Sequence, residues 1–84
     1  MANKVIVEMR GVTVRYVGRR SRPGKPDTEY FKGEISTEYG PEMINITGNG
    51  VEVGKTYDMS VIIGTYNDTL WFRKVAILDE AKKF

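Results

Sequence analysis

Eighty-four residues make one domain, residues 1–84, with room for a single modest core. Thirteen lysines and arginines against eleven acids leave a net charge of only +2, so the total says little about partners and its distribution says more. Seven of the thirteen cations fall within residues 1–25, where Glu8 is the only acid, and the other ten acids follow. The chain has no cysteine and no histidine, which excludes disulfides, thiolate or zinc-type metal sites and every Ser/His/Asp or Cys/His nucleophile. Its carboxylates stand in no recognisable catalytic frame, so neither an enzyme nor a cofactor is expected. No apolar run is long enough to cross a bilayer and the first residues lack a signal-peptide apolar region, so a cytoplasmic protein is expected. At this size, without disulfide or metal, oligomerisation is also expected.

Taken in order, Val5, Val7 and Met9 alternate with Ile6, Glu8 and Arg10 as in a half-buried strand. At Gly11 the apolar set moves to Val12, Val14 and Tyr16, and a glycine at such a phase change reads as a bulge or bend. A strand resumes over Tyr30 to Glu38, with Phe31 and Ile35 on one side and Tyr30, Lys32 and Glu34 on the other, up to a turn at Gly40-Pro41. Ile44 and Ile46 mark a short strand closed by Gly48-Asn49-Gly50. Gly48-Asn49-Gly50 and Gly54-Lys55-Thr56 lack the spacing and following helix of a phosphate loop, and read as turns. Tyr57, Met59, Val61 and Ile63 alternate with Asp58, Ser60 and Ile62 in the clearest strand pattern of the chain. Tyr66-Asn67-Asp68 then forms a tight hairpin connection. Leu70 to Leu78 is apolar on both faces apart from Arg73 and Lys74, as expected of a strand buried on both sides or packed against a partner. Only Asp79 to Phe84 suits a helical turn. About five strands with glycine-rich turns predict a small all-β barrel of the OB or SH3-like sort. Tyr16, Tyr57, Phe31 and Phe72 are assigned to its core, whereas Trp71 is left open among core, interface and groove.

The stretch Arg15 to Asp27 is the organising feature. It holds Arg15, Arg19, Arg20, Arg22 and Lys25 with no acid before Asp27, while Gly18, Pro23, Gly24 and Pro26 forbid a helix and argue against a regular central strand. Flanked by strands, it reads as the tip of a long basic hairpin. Guanidinium groups make planar bidentate contacts to phosphate, so an arginine-rich arm fits an extended polyanion better than it fits a loop that is charged only for solubility. Tyr30, Tyr39 and Tyr66 lie near turns or beside polar faces, where they either stack on nucleobases or cover the ends of the barrel. Among strand-borne cations, Arg15 and Lys74 are the first candidates to extend a basic track.

Arg22-Pro23-Gly24-Lys25-Pro26 resembles the Arg-x-Gly-Lys-Pro stretch of the filamentous-phage gene-five family of single-stranded-DNA-binding proteins. Glu38-Tyr39-Gly40 resembles that family's Glu-Tyr-Pro corner, Ile44-Asn45-Ile46-Thr47 its following strand, Gly54-Lys55-Thr56-Tyr57 its glycine-to-tyrosine strand entry, and Leu70 to Leu78 its last strand. The resemblance implies a five-stranded OB-like barrel with a protruding basic hairpin, a two-fold homodimer, and DNA lying in antiparallel grooves. It implicates Arg22 and Lys25 in the wing, Tyr39 as a stacking aromatic, Lys74 as a phosphate contact, and Tyr66 in place of the aromatic at the second hairpin. The chain departs from the family at Asp27, since the family has a tyrosine directly after Lys-Pro, leaving open whether Tyr30 replaces it. The lysine expected near Asn45 and the arginine expected near Ala76 are absent.

The expected function is sequence-tolerant binding of single-stranded DNA, coating and protecting it during replication or recombination in the cytoplasm, or the host cytoplasm if the protein is phage-encoded. The candidate contacts are Arg15, Arg19, Arg20, Arg22, Lys25, Tyr30, Tyr39, Tyr66 and Lys74. Two alternatives stand beside it: an RNA-binding OB-like barrel, and a protein-interaction barrel whose basic loop docks an acidic partner.

Overall fold

A computed structural model describes residues 4–80. Five strands form it: β1 (Lys4–Arg22), β2 (Lys25–Thr37), β3 (Gly40–Thr47), β4 (Thr56–Tyr66) and β5 (Thr69–Glu80). They close in the order β1-β2-β3-β5-β4, the connectivity of an OB-like barrel, with all neighbours antiparallel except β3 and β5. The all-β expectation therefore holds.

One long strand serves two sheets, as the phase change in its sequence requires. Residues 4–13 of β1 pair with β4, and residues 13–22 pair with β2. The register slips between Met9 and Val12, where Gly11 takes φ +68° and its N–H donates to Asp58 Oδ1 at 2.9 Å. The left-handed backbone there is accessible to glycine, and the bulge bends the strand round the barrel. Inward alternation then buries Val12, Val14, Phe31, Ile46, Tyr57, Met59 and Val61. Val7, Met9, Ile35, Ile44, Val51, Ile63 and Phe72 pack round this set.

Five expectations need correction. The stretch Arg15–Asp27 is mostly paired strand: β1 runs to Arg22 and β2 starts at Lys25, with a turn of Pro23 and Gly24 only. Beyond the barrel these strands pair only with each other, so Pro26 removes no ladder bond of a central strand. The next turn is Glu38-Tyr39, not Gly40-Pro41, and Thr37 Oγ1 accepts the Tyr39 N–H at 3.1 Å. Tyr16 is not core. It is 48% exposed because a second bulge, between Val14 and Tyr16, turns it to the outer face. Asp79 and Glu80 continue β5 rather than starting a helical turn, and the rest of that expected turn lies outside the described residues. β5 is also not buried on both sides: Leu70, Val75, Ile77 and Leu78 are exposed.

The segment 48–55 between β3 and β4 is held by its ends. Gly48 N–H donates to Glu29 O, Gly54 N–H to Val14 O, and Glu52 N–H to the Tyr57 hydroxyl. Lys55 Nζ lies 2.9 Å from Glu80 Oε1 and 3.1 Å from Glu52 Oε2, tying the segment to β5. Hydrogen bonds to Glu80 first and Glu52 second raise the Lys55 ammonium above the ordinary lysine range. A raised folded-state pKa means that this stabilisation is complete below the unfolded lysine value, about 10.4, and is lost only as pH climbs through the folded value. Lys55→Met should therefore lower the melting temperature by the same small amount at pH 6 and pH 9. The gap from wild type should narrow only above about pH 10.4, as paired thermal melts will read.

Candidate nucleic-acid interface

The β1–β2 ribbon extends the molecule to 45 Å along one axis against 26 and 22 Å across. Strand alternation sorts its side chains by face. On one face Val17 stands opposite Phe31 and Arg19 opposite Glu29, with Ser21 and Asp27 beyond them. Arg19 pairs there with Glu29 at 3.3 Å and Asp27 at 3.9 Å. Arg15, at the bulge, holds Glu34 through Nε and a terminal nitrogen at 3.3 and 3.2 Å. The other face carries Tyr16 opposite Lys32, Gly18 opposite Tyr30, Arg20 opposite Thr28 and Arg22 opposite Lys25. It holds no acid. Among the described residues, Arg20, Arg22, Lys25 and Lys32 form no ion pair.

This acid-free face is aromatic as well as basic. The rings of Tyr16 and Tyr30 lie 6.0 Å apart, the Arg20 guanidinium sits 4.9 Å from the Tyr30 centroid, and Lys32 Nζ is 5.5 Å from that of Tyr16. Gly18 makes the pair possible, because a Cβ there would meet Tyr16 Cε1 at 2.7 Å and Tyr30 Cζ at 2.8 Å. A side-chain hydrogen bond to Tyr30 pushes the Tyr16 hydroxyl above the ordinary tyrosine range.

A groove of about 420 Å³ opens beneath this face. It forms because β3 and β5 meet only at Thr47 and Arg73 and splay apart before that point. Arg20, Arg22, Thr28 and Tyr30 of the ribbon wall one side, Asn45 to Thr47 the floor, and Thr69 to Phe72 the other side. In OB barrels the β2–β3 face and the loops joining β1 to β2 and β4 to β5 hold oligonucleotides. This groove lies between those same elements.

Of the residues expected from sequence, Arg20, Arg22 and Tyr30 line this groove. Lys25 stands beside Arg22 at the tip. Tyr66 is 73% exposed on the hairpin that pairs it with the groove residue Thr69. Lys74 lines a neighbouring depression with Asp27, Glu29, Asn49 and Arg73, and the two hollows share Thr28 and Thr47. Arg19 faces away in ion pairs, Arg15 is held by Glu34 outside the groove lining, and Tyr39 is 89% exposed at the opposite end of β2. Tyr16, Asn45, Thr47 and Phe72 are site or near-site residues that the sequence does not single out for binding, whereas Lys32 is one of the strand-borne cations that could line a groove and Trp71 is open among core, interface and groove. The parity of Tyr16, Gly18, Arg20 and Arg22 along β1 was the available signal for the first of these. No protein-family model, curated protein or solved structure matches the chain.

Proposed function

We propose that the protein binds single-stranded DNA with little sequence preference, in the manner of the gene-five type, and coats it during replication or recombination of a phage or host genome. The observation that carries this reading is the sorting of charge on the ribbon. One face is neutralised by its own acids, while the face over the groove offers Arg20, Arg22, Lys25 and Lys32 beside Tyr16 and Tyr30. Unpaired cations neutralise phosphates with release of counterions, and exposed aromatic rings stack on bases of any identity. Duplex bases are already stacked, so the aromatic contribution favours single strands. The exposed apolar residues of β5 (Leu70, Val75, Ile77 and Leu78) suit a homodimer.

The test is binding of labelled oligo(dT), oligo(U) and duplex DNA, compared at low and at raised salt. The reading expects oligo(dT) to bind most tightly, with affinity falling as salt rises by a log–log slope of about −0.7 for each phosphate neutralised. Tighter binding of oligo(U) would move the site to RNA. No binding to any of the three at low salt would contradict the reading and favour an acidic protein partner for the basic face.

A further inference from the structure

Trp71, the chain's single tryptophan, stands on β5 opposite Gly64 of β4, which in turn stands opposite Lys4 of β1. The indole lies against the buried Gly64 backbone: a Cβ at that position would overlap its Cζ2 and Cε2. Lys4 Nζ lies 5.7 Å and the Arg73 guanidinium 5.6 Å from the ring centroid. Neither cation has an acidic partner among the described residues. Trp71 is also one of the residues lining the groove that Arg20, Arg22 and Tyr30 wall on the other side.

A tryptophan laid over a cross-strand glycine is also a known way to cover exposed backbone in a sheet. That role alone calls for neither a groove nor two unpaired cations beside the ring. We infer that Trp71 is a nucleobase-stacking platform, a second aromatic subsite on the opposite wall from Tyr30. Lys4 and Arg73 take the phosphates on either side of the stacked base, and Gly64 is the positioning residue that lets the ring lie flat. The subsite carries the nucleic-acid track off the ribbon and onto the outer face of β5, β4 and β1. This inference rests on the single-strand reading and extends it to a wall that the basic hairpin does not reach.

The experiment reads two signals in one titration of the whole protein with labelled oligo(dT): anisotropy of the label and emission of the tryptophan. Anisotropy should rise while emission is quenched along the same curve. Trp71→Ala should weaken binding at least about tenfold, within the range expected for losing one stacked base, while Trp71→Phe should retain most of the affinity. Gly64→Ala should weaken binding as Trp71→Ala does, through lifting of the ring, with wild-type emission altered before any DNA is added. Thermal melts of each variant separate loss of stacking from loss of fold, and Trp71→Phe serves where Gly64→Ala does not fold. Normal anisotropy with unchanged emission, and wild-type affinity of Trp71→Ala, would overturn the subsite and leave the single-strand reading standing. Absence of any anisotropy change in the wild type would overturn both.

Discussion

Replacing Arg20 and Arg22 together by alanine should weaken oligo(dT) binding about a hundredfold at low salt and flatten the log–log salt slope by about 1.4. Each is expected to neutralise one phosphate, and each single-strand contact contributes about 0.7 to that slope. Charge-assisted bonds of this kind contribute about a factor of ten or more apiece. The matched control is Arg15→Ala with Arg19→Ala, which removes the same formal charge from the same ribbon. Those guanidiniums are held by Glu34 and by Glu29 with Asp27, and neither lines the groove. Their loss should change affinity by less than about threefold through the general field alone. Equal losses for the two pairs would mean that net charge, and not the acid-free face, attracts the ligand.

The second large effect is on stability. Phe31→Ala should cost about 3–5 kcal/mol, the range for deleting a buried phenylalanine together with the cavity left behind. Phe31 is fully buried, paired across to Val17 of β1 and Ile46 of β3, and it is among the largest of the wholly enclosed side chains. A chain of 84 residues is expected to hold about 4–13 kcal/mol in all, so this single change removes much of it. Urea denaturation should show the midpoint falling with little change in slope. A cost below about 1 kcal/mol would contradict the barrel interior described above. Tyr30→Ala, one residue away on the opposite face, should cost far less stability and act on binding instead, since strand alternation separates the two roles.

Much of the fold was legible because the barrel is written in alternation. The phase change at Gly11, the clean pattern from Tyr57 to Ile63 and the Asn67-Asp68 turn each have a local physical cause. Both turn residues take positive φ, 50° and 62°, as a two-residue hairpin requires. Tyr16 escaped that logic because the second bulge, at Arg15, leaves no glycine or proline in the sequence to mark it. The site was legible in part. A run of arginines announces an anion-binding arm, yet which of them are free depends on acids that return on β2 ten to nineteen residues later. Arg15 and Arg19 are spent on Glu34 and Glu29, while Arg20 is spared by the parity of one residue. Trp71 could not be placed from sequence, since its position depends on Gly64 across a strand pair and on the splaying of β3 from β5. Neither relation leaves a local mark.

The central claim is that a single strand lies in the groove between the ribbon and β5. It is tested most directly by following the backbone amides of the isotopically labelled protein as oligo(dT) is added. The account predicts that the largest shifts fall on Arg20, Arg22, Thr28, Tyr30, Asn45, Thr47 and Thr69 to Phe72. Arg15, Arg19 and the Glu38-Tyr39 turn should remain nearly still. Shifts centred on Tyr39, or none at all at low salt, would contradict it.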